Sequence, residues 1–260
     1  MITMAWVKFL GTAGARFVVI KQLRASGGLW LNIEDANILI DPGPGCLVKC
    51  NSSKPRLDPT GLDAIILTHR HLDHSNDVNV MIEAMTNGGF KKKGTLYAPR
   101  DALEGDDPIV LKYTRDMVED IELLHEKGTY QIKNVTFETP IKHIHGVETY
   151  GLNFKNKKGK IFLSIISDTR YFDDLEKFYR GEILIINVVR FKPMKNIDHL
   201  CIADAERIIE ENKPKLAILT HFGMTMLKEK PWEIAEALSK KLGLKIIAAN
   251  DGMKIDLENI

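Results

Sequence analysis

The chain has 260 residues, of which 44% are hydrophobic and 27% charged, and its 36 lysine and arginine residues almost balance its 35 acidic residues. A chain of this length can bury a substantial core, and the balanced charge argues against a protein built to grip long nucleic acid. The cysteines, Cys46, Cys50 and Cys201, show no CxxC spacing, which argues against a disulfide framework and favours a cytoplasmic location. No apolar run approaches the ~20 residues that span a bilayer, so no membrane partner is expected.

The first hundred residues are predicted to form short strands separated by glycine-rich turns. Residues 64–68 are an apolar run suited to a strand buried on both faces, and a histidine-rich segment follows directly. From residue 77 to 85, apolar side chains recur at helical spacing, and Asn87-Gly88-Gly89 ends this predicted helix. The other strands predicted in this part cover residues 5–10, 28–33 and 36–40.

The segment 101–127 is acidic and mixed in character, with a helix predicted over residues 113–119. A lid or a substrate-facing insertion is one interpretation of it. The second half then returns to apolar strands, too numerous for one small sheet, so two packed sheets flanked by helices are predicted. These strands cover 129–141, 150–154, 160–167, 183–189, 216–220 and 245–249, and helices are predicted at 202–211 and 231–242.

Four potential metal ligands lie within six residues directly after the strand predicted at 64–68: His69, His71, Asp73 and His74. In extended backbone, residues two apart point the same way, so His69 and His71 can converge on one ion while Asp73 and His74 face a second. Imidazole and carboxylate together suit zinc, with iron or manganese as substitutes. The alternative interpretation is a chance surface cluster ahead of a helix that Asp73 caps.

Three further candidates, His145, Asp168 and His221, each follow a predicted strand. Loops at strand ends commonly carry functional groups, and a carboxylate can bridge two ions with its two oxygens. Taken singly, each has an ordinary explanation: an exposed histidine, a capping aspartate, or a histidine bonded to backbone. Their shared placement favours a metal site.

The seven candidates resemble the five-part motif of the metallo-β-lactamase superfamily, and the resemblance covers essentially the whole chain. Asp41, in Ile40-Asp41-Pro42-Gly43, resembles the early aspartate of that superfamily, and residues 249–253 resemble its closing strand and turn. The resemblance implies an α/β fold, the αββα four-layer sandwich with two mixed sheets flanked by helices, as a single hydrolase domain over residues 1–260.

The resemblance also assigns the ligands of a binuclear metal centre. It gives His69, His71 and His145 to the first ion and Asp73, His74 and His221 to the second, with Asp168 bridging them. His143 competes with His145, which is preferred because its spacing to Gly151 matches the ribonuclease Z-like branch.

Two divalent ions, Zn²⁺ with Mn²⁺ or Fe²⁺ as substitutes, would hold a bridging hydroxide that attacks the substrate. Asp73 would orient that hydroxide. His199 is a candidate general acid because it precedes the helix containing Asp204-Ala205, as a histidine does in ribonuclease Z-like relatives. Those relatives carry Ser-Thr next, whereas this chain has Leu200-Cys201, so a helix-capping or exposed histidine is the alternative.

Asp168 at the bridging position, rather than cysteine, and the stretch 219–222 resemble the ribonuclease Z and phosphodiesterase branch. A small phosphodiester or cyclic phosphate is the favoured substrate, because no Gly-Pro-rich arm for transfer RNA lies between His74 and His145. A carboxylic ester, lactone or thioester hydrolase and a ribonuclease Z-like RNA-processing enzyme are the alternatives. A binding scaffold with a vestigial metal site is the non-enzymatic alternative, against which the complete ligand set argues. A homodimer is left open.

Overall fold

The computed structural model describes residues 5–258 and residue 260. These residues form two mixed sheets of seven strands each. The first sheet has the order β14-β1-β2-β3-β4-β5-β6, and the second has the order β13-β12-β11-β10-β9-β8-β7. The first contains β1 (Trp6–Phe9), β2 (Leu29–Ile33), β3 (Ala36–Ile40), β4 (Ala64–Ile66), β5 (Thr95–Pro99), β6 (Asp120–Leu124) and β14 (Lys254–Asp256). The second contains β7 (Gly128–Ile132), β8 (Val135–Thr139), β9 (Leu152–Lys155), β10 (Ile161–Ile166), β11 (Ile183–Asn187), β12 (Leu216–Thr220) and β13 (Ile246–Ala248).

Each sheet is antiparallel in one half and parallel in the other. In the first sheet, β14, β1, β2 and β3 pair antiparallel, and β3 to β6 pair parallel. In the second sheet, β7 to β10 pair antiparallel, and β10 to β13 pair parallel. The carboxyl ends of neighbouring parallel strands meet at one edge of a sheet, so polar residues that follow β3, β4, β10, β11 and β12 are brought together.

Helices cover the outer faces of both sheets. Buried residues of the two sheets form a central core between them, and two further cores lie between each sheet and its helices. The predicted αββα sandwich is therefore confirmed. The helices are α1 (Ala15–Ile20), α2 (Cys46–Ser52), α3 (Leu72–Ser75), α4 (Val78–Met85), α5 (Arg100–Leu103), α6 (Lys112–Arg115), α7 (Ile202–Asn212), α8 (Met224–Lys228) and α9 (Pro231–Leu242).

The strand β4 shows how the sequence pattern places the first ligand loop. All three of its residues are buried: Ala64 and Ile66 face the central core, and Ile65 packs against the outer helices. Burial on both faces explains the continuous apolar run that precedes the histidines. The helix α9 likewise follows its sequence signals, with Pro231 in its first turn and Gly243 ending it at φ +66°.

Several elements differ from the sequence-based predictions. The strand predicted at 129–141 is the hairpin of β7 and β8, which turns at residues 133–134. The helix predicted at 113–119 is the single turn α6, and β6 at the edge of the first sheet was not predicted. Its exposed positions hold Asp120 and Glu122, and the low strand propensity of these residue types outweighed the alternating pattern. Among the described residues, no helix has the length and apolarity needed to cross a membrane.

Candidate metal centre

The histidine-rich loop after β4 is held by a carboxylate from the neighbouring strand. Asp41 follows β3 and accepts hydrogen bonds from Thr68, from the backbone N–H to Oδ1 and from the hydroxyl to Oδ2, both at 2.7 Å. The same Oδ2 lies 2.9 Å from Nδ1 of His74. A bond at Nδ1 fixes the ring and turns Nε2 toward the centre of the site. Asp41 thus orients a candidate ligand.

We therefore expect Asp41→Asn to weaken metal binding without removing a ligand. The amide cannot accept from the Thr68 amide, the Thr68 hydroxyl and His74 as the carboxylate does, so His74 loses its fixed orientation. Loss of such an orienting partner costs about 10- to 100-fold in metal affinity. Competitive titration with a chelator measures this affinity, and Asp106→Asn, at an exposed aspartate, is the control. An unchanged affinity in Asp41→Asn would contradict the orienting role.

The first group of candidate ligands consists of His69, His71 and His145. One ring nitrogen from each lies within 4.8 Å of the others. Nδ1 of His71 and Nε2 of His145 are only 3.0 Å apart, and Nδ1 of His145 lies 2.8 Å from the carbonyl oxygen of Asp198. Nε2 of His69 is buried and has no hydrogen-bond partner. A buried nitrogen without a partner is costly, and a cation at this point would satisfy it.

The second group consists of Asp73, His74 and His221. The Nε2 atoms of His74 and His221 are 3.2 Å apart, and Oδ2 of Asp73 lies 3.9 Å and 3.6 Å from them, respectively. Two imidazole nitrogens that face each other at this distance beside a carboxylate are typical of a metal-ligand arrangement.

The segment Gly11-Thr12-Ala13-Gly14, which follows β1, supports His221. His221 follows β12 with a φ of +58°, a region that residues other than glycine rarely adopt. Gly14 donates to the carbonyl oxygen of Phe222 at 3.0 Å, and Phe222 donates to that of Thr12 at 2.8 Å. A Cβ on Gly14 would lie 2.1 Å from the carbonyl oxygen of His221, so glycine is required for this close approach. The segment therefore helps to hold His221 in its left-handed conformation.

Asp168 lies between the two groups. Its Oδ2 is 3.5 Å from Nε2 of His74 and of His221, 3.9 Å from Nε2 of His145 and 4.0 Å from Nε2 of His69. Its Oδ1 accepts a hydrogen bond of 2.9 Å from the side-chain amide of Asn187, which fixes the carboxylate plane. One oxygen of Asp168 thus faces both groups at once.

The protonation of the site reflects its burial and the charges of the neighbouring carboxylates and histidines. Burial would raise the pKa of Asp168, but His221, His199 and His74 hold that pKa well below its usual range. Burial, aided by His74, lowers the pKa of His69, so its ring is neutral as a metal ligand requires. At His74, burial lowers the pKa, but Asp41, Asp168 and Asp73 outweigh it and raise the pKa. Three carboxylates around one buried ring create a demand for positive charge that a divalent cation can meet.

His143 and His145 point in different directions. His143 is buried, with Nε2 2.6 Å from the hydroxyl of Tyr179 and Nδ1 3.2 Å from the carbonyl oxygen of Asp168. Burial lowers the pKa of His143 to about 4. His145, and not His143, is brought to His69 and His71.

His199 lies beside Asp168 and does not cap the helix that follows it. Cys201 is the N-cap residue of α7, and its backbone N–H donates to Asp204 at 2.8 Å. Nδ1 of His199 is buried without a hydrogen-bond partner and lies 3.5 Å from Oδ2 of Asp168. The side chain as a whole is 19% exposed, so it borders the site at its solvent side.

Asn187 and Ser167 were missed by the sequence analysis. Asn187 holds Asp168, and the hydroxyl of Ser167 lies 2.8 Å from that of Thr68, joining the ends of β4 and β10. Both are polar residues at or just after the ends of apolar parallel strands, as Asp168 and His221 are. That placement is the signal that could have identified them.

The family model of the beta-lactamase superfamily domain matches residues 36–222, a range that contains all seven candidate ligands. The chain belongs to the metallo-β-lactamase superfamily. An uncharacterized protein of Methanocaldococcus jannaschii is 31% identical over 257 residues, covering 96% of this chain and 94% of the relative. The predicted superfamily is confirmed, as is the presence of His/Asp clusters that can hold metal ions.

Solved structures of this superfamily share the fold. The metallo-β-lactamase fold protein YhfI from Bacillus subtilis has a TM-score of 0.78 at 20% identity, with 97% of this chain and 99% of YhfI covered. A diphosphatase from the PhnP family has a TM-score of 0.72 at 22% identity, with 98% of each chain covered. The short form of human tRNase Z has a TM-score of 0.69 at 18% identity, with 97% and 99% covered. These likenesses place the chain in the same fold as the ribonuclease Z-like branch.

Proposed function

We propose that this chain is a binuclear metal-dependent hydrolase that cleaves a small phosphodiester or cyclic phosphate. The observation that carries the proposal is the position of Asp168, whose Oδ2 lies within 4.0 Å of ligand nitrogens from both histidine groups. A carboxylate in that position can contact two cations at once. The proposed ligands are His69, His71 and His145 for one ion, Asp73, His74 and His221 for the other, and Asp168 for both.

The donor set fits zinc, with manganese or iron as substitutes. Five imidazole nitrogens and two carboxylates match the ligand types that these ions accept. The unpaired Nε2 of His69 and the opposed nitrogens of His74 and His221 are contacts that a cation would satisfy. When bound, two such ions supply Lewis acidity toward the substrate oxygen and a nucleophile derived from water at neutral pH.

The protein side chains would position the reactants around these ions. Asp73, which accepts no protein hydrogen bond of its own in the described structure, is free to orient water at the second group. Asn187 holds the carboxylate of Asp168, and Asp41 holds the ring of His74. His199 lies at the solvent side of the same carboxylate and is proposed to donate a proton to the leaving oxygen.

We expect His199→Gln to lower kcat about 10²- to 10⁴-fold, the usual contribution of a general acid, with little change in metal content. Glutamine keeps a polar side chain of similar length but cannot deliver a proton. Steady-state kinetics with metal analysis of the same preparation test this. His125→Gln is the matched control, because it makes the same change at an exposed histidine that does not belong to the candidate site. If His199→Gln loses metal in proportion to activity, the residue is a ligand instead.

A small substrate is favoured by the structure of the segment between the two ligand loops. Residues 75–144 form α4, β5, α5, α6 and the strands β6 to β8, all of which belong to the sandwich or its covering helices. No long arm for RNA projects from this described segment. The likeness to a diphosphatase supports a phosphoester substrate, and the likeness to tRNase Z keeps RNA among the substrates to be tested.

Metal analysis combined with a substrate panel tests the proposal. The panel contains bis(p-nitrophenyl) phosphate, a cyclic nucleotide, p-nitrophenyl acetate, a lactone, a thioester and a precursor tRNA. We expect two ions per chain, loss of activity on chelation, and recovery with zinc. On the phosphodiesters, kcat/KM should exceed that on the carbonyl substrates at least about tenfold.

Any other ranking of the substrates by kcat/KM would favour one of the alternative functions. A carbonyl substrate that ranks first would replace the proposed activity with ester, lactone or thioester hydrolysis. A precursor tRNA that ranks first would indicate RNA processing. Protein that binds no stoichiometric metal and hydrolyses nothing in the panel would be a binding scaffold.

The three cysteines are free and buried, which suits the proposed cytoplasmic location.

A further inference from the structure

A basic cavity lies on the helix-covered side of the first sheet, apart from the metal centre. It has a volume of about 290 Å³ and lies between β1, the end of α2 and the turn before β14. None of its lining residues lines the cavity at Asp73, His74 and His221. Its walls are Lys8 of β1, Leu10 just after β1, Lys49 and Ser52 of α2, Ser53 and Lys54 just after α2, and Asp251 and Gly252 in the turn.

Lys8 is the most unusual residue of this cavity. It lies in the middle of β1 and is only 4% exposed, with Nζ donating to the carbonyl oxygen of Lys54 at 3.1 Å. No carboxylate of the described residues lies within 4 Å of that Nζ. Burial, together with the ammonium of Lys254, lowers the pKa of Lys8. A buried ammonium without a counterion is costly, because its lost hydration is not repaid by an opposite charge.

The remaining charges do not neutralise Lys8. Asp251 is the one carboxylate in the cavity wall, and both of its oxygens are already engaged. Its Oδ1 accepts from the backbone N–H and the hydroxyl of Thr12, at 2.9 Å and 2.7 Å, and its Oδ2 accepts from the backbone N–H of Ala25 at 2.8 Å. The cavity wall therefore carries three lysines and a single carboxylate, which is already hydrogen-bonded.

Ser53 gives a second, independent indication of a ligand. Its hydroxyl oxygen is buried and has no hydrogen-bond partner in the described structure. A buried hydroxyl normally has a partner, which a bound molecule in this cavity would supply. Ser52, also in the wall, is exposed and offers a further hydroxyl.

We infer that this cavity is a binding site for a phosphate group. Lysine ammonium groups act as point charges toward phosphate, and serine hydroxyls donate to its remaining oxygens. The three lysines supply the charge that a phosphate dianion needs, whereas a planar carboxylate is matched best by the fork of an arginine, which this wall lacks. The inference is independent of the proposed hydrolase activity.

Isothermal titration of the purified protein with inorganic phosphate, at 150 mM salt, tests the site. We expect Lys8→Met to weaken binding at least about tenfold, since a charged hydrogen bond is lost from a buried position. Lys91→Met, at an exposed lysine, is expected to leave binding unchanged. Should Lys8→Met fail to fold, the double variant Lys49→Met, Lys54→Met, at two exposed positions, is expected to show the same loss.

Two further arms identify the source and separate this site from the metal centre. Adenosine monophosphate replaces inorganic phosphate in one arm. If it binds more tightly than inorganic phosphate, the ligand is a phosphorylated metabolite. If the two affinities are equal, the site recognises the phosphate group alone. In the other arm, Asp168→Asn is expected to retain phosphate binding, because Asp168 lies outside this cavity. Equal affinity in wild type and the lysine variants, no binding of either probe, or loss of binding in Asp168→Asn would overturn the inference.

Discussion

Asp168→Asn is expected to lower hydrolysis on the order of 10³-fold or more and to reduce the bound metal below one ion per chain. The amide oxygen can still accept from Asn187, which leaves the N–H group where Oδ2 now faces the histidines. A neutral donor in that place cannot contact a cation. Because Oδ2 lies near both ligand groups, both ions are affected together. Metal analysis and kcat/KM on a phosphodiester measure the two effects.

The matched control is Asp106→Asn, which makes the same chemical change at an exposed aspartate. Circular dichroism of both variants separates loss of the metal from loss of the fold. If Asp168→Asn keeps two ions per chain, the carboxylate does not bridge them, and the role of Asp168 in the proposed function is wrong.

Asp73→Ala is expected to lower kcat about 10²- to 10³-fold while reducing the metal content from two ions to one. Oδ2 of Asp73 lies within 4 Å of His74 and His221 only, so truncation removes a ligand from the second group and leaves the first intact. The described structure shows no hydrogen bond to this carboxylate, so the free energy of unfolding should change by less than about 1 kcal/mol.

The two variants together test the arrangement of the site. Asp168→Asn should affect both ions and Asp73→Ala one, so the residual metal content distinguishes a bridging from a terminal carboxylate. The thermal midpoint of Asp73→Ala, measured with chelator present, separates stability from metal loss. Loss of both ions in Asp73→Ala would mean that the ions bind cooperatively and that Asp73 is not confined to one group.

Local sequence patterns were sufficient to predict the layers of the fold and the region of the site. The apolar run at 64–68 contains a strand buried on both faces, and the helix predicted at 231–242 is α9 with the same bounds. Both rest on interactions within a few residues, namely strand pleating and helix termini. By contrast, β6 is stabilised by pairing with β5, and the aspartate and glutamate on its exposed face have a low propensity for strands.

The sequence by itself determined which residue types could hold metal ions, because His69, His71, Asp73 and His74 lie within six positions and each further candidate follows a predicted strand. Only the tertiary structure decided that His145 rather than His143 joins them, that Asn187 holds Asp168, and that Lys8 is buried beside a cavity. The reason is that these contacts join residues that are far apart in the sequence. Their distances depend on strand pairing within a sheet and on how the sheets and helices pack, which no short stretch of sequence specifies.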